Sequence, residues 1–166
     1  MKKEEIQELL KNHKLWLSGD GDGRRADLTG ADLTGANLTG ANLTYANLTG
    51  ATGLVSAISY LSANFEQCKD GYIAYKTFGA YHNPPASWSI NPGSEICETA
   101  NSMRTDTCGS GINVAPLEWV KQHASGNALD IWKVLIRWEW LPGVVVPYNT
   151  NGKIRCEKVQ LIEIVR

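Results

Sequence analysis

The sequence predicts a mixed β/α protein in three parts. An N-terminal helix leads into a short coil of stacked five-residue units, and an α+β domain with a largely antiparallel sheet follows. Three observations predict this. Apolar residues recur at helical spacing over the first 17 positions, a five-residue unit repeats from Ala26 to Gly50, and strict alternation runs through "DIWKVLIRWEWL". The expected boundaries are 1–20 for the helix, 21–58 for the repeat and 59–166 for the second domain.

Ile6, Leu9, Leu10, His13 and Leu17 fall on one face of a helix from Lys3 to Leu17, with Lys, Glu and Asn on the other. "SGDGDG" ends it, because successive glycines lose too much backbone freedom to stay helical. Asp20 and Asp22 lack the Gly and Glu spacing of a calcium loop. An apolar stripe of this kind needs a partner, and the uncovered core of a repeat is the expected one.

The unit Ala26-Asp27-Leu28-Thr29-Gly30 returns four times, with Asn replacing Asp in the last three and Tyr45 once replacing Gly. A single unit has no core, so only stacking of one pass on another can bury Leu28, Leu33, Leu38, Leu43 and Leu48. Ala precedes each leucine by two positions, as a narrow interior requires. These residues resemble the pentapeptide-repeat family. The resemblance implies a right-handed quadrilateral β-helix, with four units per square turn, Leu and Ala inward and the other three positions outward. Long members of that family imitate duplex DNA. Here Asp27 and Asp32 are followed by asparagines and offset by Arg24 and Arg25, so duplex DNA and its binding partners are not the expected targets. The repeat is expected to serve as a passive support.

Beyond Tyr60 the composition changes. Tyr72, Ala74, Lys76 and Phe78 alternate with Ile73, Tyr75 and Thr77 as a strand. A Pro-rich loop with a short strand at Trp88 to Ile90 follows, then a strand at "SEICETAN" and a helix begun by Pro116, with Leu117, Val120 and Ala124 inward. Trp132, Val134, Ile136, Trp138 and Trp140 share one face of a single long strand. Asn-Gly at 151–152 predicts a turn into a last strand, where the phase slips near Val159 as a bulge would make it. "GYIAYKTF", "RTDTCGSGINVAPLEWV" and "IWKVLIRWEW" resemble the C-terminal half of pentapeptide-repeat proteins common in bacteriophage genomes. That resemblance implies a phage accessory protein acting in the cytoplasm of the infected host, with no catalytic residues to transfer.

The formal charge is −1 and no apolar run approaches bilayer length, so bulk affinity for nucleic acid and membrane insertion are both excluded. Four cysteines without C-x-x-C pairing and three scattered histidines predict reduced thiols, no metal and no cofactor. The binding chemistry expected is loop-built. Cys108, Gly109, Ser110 and Gly111 can turn N–H groups toward an anion beside Arg104. Lys76, Tyr81 and Trp88 can add charge and stacking for a nucleotide. A tight turn explains the glycines equally well. Cys108 as a nucleophile would need His82 or His123 nearby. "SGINVAPLEWV" faintly resembles segments of ADP-ribosyltransferase-like domains, which implies NAD and a glutamate such as Glu139 or Glu163, without the accompanying motifs. The leading expectation is a non-enzymatic binding protein, directed at a host protein or a small nucleotide and serving counter-defence. An NAD-dependent enzyme and a purely structural scaffold are the alternatives. Edge strands of the second domain would permit a homo-oligomer.

Overall fold

The structure is a computed structural model that describes residues 1–34, 36–38, 41–54, 56–79, 82–104, 106, 108–123, 129–148 and 150–165. It divides into two compact units. The first comprises Met1–Ser56, Met103–Cys108 and Pro147–Asn151; the second comprises Ala57–Ser102, Gly109–Val146 and Gly152–Arg166.

The first unit opens with α1 (Lys3–Leu17). Glu4 and Glu5 lie in its first turn and Lys14 in its last, each charge matched to the helix dipole. Ile6 is buried, and Leu9 and Leu10 pack with it on Leu28, Leu33 and Leu43 of the repeat. His13 is also fully buried. Its Nδ1 accepts from the Ala26 N–H at 3.2 Å, and its Nε2 lies 3.0 Å from the Thr44 carbonyl. Only the neutral Nε2–H tautomer serves both contacts. Burial and, to a lesser degree, the charge of Arg25 hold its pKa below the ordinary histidine value against the pull of the Thr44 carbonyl.

The repeat does not build the β-helix that the sequence predicts. All named strands belong to two separate antiparallel sheets in the second unit, neither closed nor strongly curled, and residues 24–52 contribute none of them. The reason lies in the repeat's own hydrogen bonds. The Asp or Asn side chain accepts the N–H of the Thr two residues on, at Thr29, Thr34, Thr44 and Thr49. The next unit's Ala N–H returns to the Leu carbonyl, at Ala31, Ala36, Ala41, Ala46 and Ala51. These four units thus spend two of their five N–H groups on turns, which competes with a continuous ladder. Among the described residues one pass is hydrogen-bonded to the next at two isolated parallel bridges, Asp27 with Asn47 and Asp32 with Thr52, and through the Gly30 N–H to the Thr49 carbonyl at 2.8 Å. Leu28, Leu33 and Leu43 are buried, while Leu38 and Leu48 are half-buried against the same cluster. At the fifth position Gly30 and Gly50 take φ of 64° and 69°, and Tyr45 takes 65°. That is a left-handed conformation that costs a side-chain-bearing residue roughly 1 kcal/mol.

The second unit is built on a five-stranded sheet of order β1-β2-β5-β8-β3, with strands β1 (Glu66–Cys68), β2 (Gly71–Lys76), β3 (Glu95–Cys97), β5 (Ile131–Arg137) and β8 (Lys158–Val165). A three-stranded sheet orders β4 (Ile112–Val114), β7 (Ile154–Cys156) and β6 (Val144–Val145) as β4-β7-β6. The alternation read from the sequence sets the buried face: Tyr72, Ala74, Trp132, Val134, Ile136, Val159 and Leu161 meet Ile112, Val114, Ile154 and Cys156 in one core. Ile73 and Leu135 pair on the opposite face among Tyr75, Lys133 and Arg137, whose long side chains flank them. The helices α2 (Ala57–Asn64) and α3 (Leu117–His123) bring Leu61 and Val120 into buried positions.

Four details depart from the sequence reading. The helix α2 is absent from it, because eight residues carry too little periodicity to stand out. Trp88 to Ile90 form no strand and pack on the core as loop. The long strand ends at Arg137, and Trp138–Gly143 is a 3₁₀ helix containing Pro142. The Trp138 backbone N–H is drawn to the Asp70 carbonyl, which takes it out of the ladder, and the indole N–H to the Lys69 carbonyl holds the ring there. The register shift falls between Lys133 and Val134, opposite Glu163 and Leu161, so the extra residue is Ile162 rather than one near Val159. Ala124 lies outside the described residues.

Candidate functional site

Lys76 ends β2 directly opposite Trp132 of β5. Period two carries the chain to Phe78 on the same side, and the three residues meet there. The Phe78 ring lies edge-on to Trp132 at 6.2 Å and to Trp88 at 6.2 Å. Trp88 is fixed by its indole N–H, which donates to the Cys97 carbonyl at 2.9 Å. The Lys76 ammonium sits 3.6 Å from the Phe78 ring centre and 6.0 Å from that of Trp88. It donates to the Thr77 carbonyl at 2.9 Å, and among the described residues no carboxylate pairs with it. Burial lowers its pKa to about 8. A half-buried cation on aromatic walls, without a counter-ion, can accept an anion, and the rings can stack on a flat ligand.

The other residues singled out in the sequence are distributed as follows. Arg104 and Cys108 belong to the first unit. The Arg104 guanidinium lies 4.3 Å over the Tyr148 ring, and its carbonyl accepts the Tyr148 N–H at 2.8 Å. Cys108 is exposed and belongs to no disulfide. Gly109, Ser110 and Gly111 belong to the second unit. There the Ser110 carbonyl accepts the Asn101 N–H at 3.0 Å and the Gly111 carbonyl accepts the Asn113 amide at 3.2 Å. A Cβ on Gly109 would stand 2.9 Å from the Asn101 side chain, so close packing alone requires that glycine. Tyr81 lies outside the described residues. Lys76 and Trp88 are therefore the two that one unit brings together. Phe78, which joins them, was on the same strand face in the sequence but carried no functional group to mark it.

Nearby, Cys97 lines an open depression of about 580 Å³ with Glu98, Thr99, Glu157 and Lys158. Lys158 is already held by Glu95 at 2.6 Å, whose hydrogen bond raises its pKa. Glu139 and Glu163 are exposed, and Glu163 pairs with Lys133 at 3.3 Å. None of the four cysteines is in a disulfide, and burial pushes the Cys156 thiol up, away from reactivity. Among the described residues no group of three or more His, Cys, Asp or Glu is placed to hold a metal, and no helix is long and apolar enough to cross a membrane.

The family model for pentapeptide repeats (8 copies) matches residues 24–52. The chain thus carries a pentapeptide-repeat motif over a short N-terminal stretch, and the match leaves the second unit untouched. Comparison with curated proteins and with solved structures gave no match.

Proposed function

We propose that the chain is a binding module whose second unit takes an anionic, aromatic ligand of the nucleotide class at Lys76, Phe78 and Trp88. One observation carries this reading: a half-buried ammonium rests on two aromatic rings with no carboxylate partner among the described residues. Removing a cation from water without a counter-ion is unfavourable, and ring faces offset only about 0.5–2 kcal/mol of it. A phosphate supplies the missing charge, and a base beside it has Trp88 to stack on. Sequestration of such a ligand fits the accessory, counter-defence role in an infected bacterium that the phage resemblance implies.

The test is a panel of nucleotides, including NAD and cyclic dinucleotides, followed by thermal shift and by mass of the products. The expected result is a rise in melting temperature with at least one nucleotide and no product. Turnover of NAD would replace this reading with an enzymatic one. The absence of a shift with every anionic aromatic compound would overturn it.

A further inference from the structure

We infer that Lys76 is also a nucleophilic amine that captures aromatic aldehydes covalently, as an imine, against the Phe78 and Trp88 rings. The inference goes beyond reversible binding, and it rests on the binding reading only for the aromatic body of the ligand. Lys121, Lys133 and Lys158 each lie within 3.3 Å of a carboxylate, Glu118, Glu163 and Glu95 respectively. Lys76 has no such partner among the described residues. Its Nζ donates to a single carbonyl, that of Thr77, and faces ring carbon 3.6 Å from the Phe78 centre. Burial disfavours the charged form of Lys76 and lowers its pKa to about 8. At pH 7.5 about a quarter of Lys76 is then the neutral nucleophile, against roughly 0.1% for a lysine of ordinary pKa.

The step balances without any oxidant or reductant. The Nζ lone pair attacks the carbonyl carbon, the amine's two protons leave with the carbonyl oxygen as water, and a C=N bond replaces C=O. An aldehyde on a flat ring gains stacking on Trp88 that an aliphatic aldehyde lacks. Reversal by water releases the ligand, so capture needs no separate turnover step.

The experiment treats the full chain with salicylaldehyde or with pyridoxal 5′-phosphate, traps imines with borohydride at intervals, and maps adducts by peptide mass spectrometry. Lys76 is expected to label at least about tenfold faster than Lys121, Lys133 and Lys158, with a rate that rises between pH 7 and 9. Equal labelling of the four lysines would overturn the inference. K76R should keep the melting temperature and lose the fast adduct; persistence of that adduct would also overturn it. Fast salicylaldehyde labelling in a protein that binds no nucleotide would retire the binding reading and keep this one. Nucleotide affinity without selective labelling would do the reverse.

Discussion

Replacing His13 by leucine should loosen α1 from the repeat by an amount the structure allows to be worked out. The imidazole satisfies the Ala26 N–H at 3.2 Å and the Thr44 carbonyl at 3.0 Å from a fully buried position. Leucine has nearly the right volume but neither contact. Each of the two groups left buried and unpaired costs roughly 1–3 kcal/mol, so H13L should cost about 2–6 kcal/mol in total. Acid should reproduce part of this in the native protein. Protonation puts a second N–H against the Ala26 N–H, and the folded pKa lies below the ordinary 6.5. The folded state therefore prefers the neutral form. Its stabilisation is fully present above the unfolded pKa and is lost as pH falls from there to the folded pKa, at a slope of up to about 1.4 kcal/mol per pH unit. Hydrogen exchange of the amides of Lys3–Leu17 between pH 7 and 5, corrected for intrinsic rates, reads both effects locally. The wild type should show the slope and H13L should not. An H13L helix that opens no more readily than the wild type, or that keeps the same pH slope, would refute the assignment of His13 as the clamp.

Other outcomes follow from the same geometry. L43A should cost about 2–5 kcal/mol by denaturant titration, because Leu43 is wholly buried, and L48A at a half-buried site distinctly less. Y45G should be within about 1 kcal/mol of neutral, since relief of the left-handed φ opposes loss of the edge-on contact with Trp16 at 6.4 Å; a large destabilisation in the same titration would contradict this. Asp27 and Asp32 are held below the ordinary carboxylate pKa, first by the hydroxyls and then by the N–H groups of Thr29 and Thr34. Their contribution should be present above the usual value of 3.8 and fade as pH falls through the lowered ones, visible as an acid limb that D27N and D32N flatten.

What the sequence discloses depends on how far a signal reaches. The helix Lys3–Leu17 and the alternation of β5 are local patterns, and they survive in the structure. The β-helix does not, because the repeat's resemblance carries a stacking geometry but not the hydrogen bonds that the chain actually makes. The Asp/Asn-to-Thr turns that divert the N–H groups were written in the same five letters, but their competition with a ladder shows only once one pass meets the next. Trp138 and Trp140 keep the alternation yet leave the strand, since the Lys69 and Asp70 carbonyls that draw Trp138 away are 68 or more residues upstream. At the candidate site, Lys76 and Phe78 were legible as neighbours on one face. That Trp88 closes the other side depends on its bond to the Cys97 carbonyl across a loop, which no spacing rule predicts.

The central claim is that the Lys76 ammonium, on its aromatic walls, waits for an anion. Calorimetric titration of the tightest nucleotide of the panel into wild type and K76M, at pH 7 and pH 9.5, tests it most directly. Loss of a charge-assisted contact worth about 1.5–3 kcal/mol predicts roughly 10- to 150-fold weaker binding in K76M at pH 7. The wild type should weaken toward the variant at pH 9.5, as Lys76 loses its proton above a pKa of about 8. Equal affinity of the two proteins at pH 7, or a wild-type affinity indifferent to this rise in pH, would contradict the account.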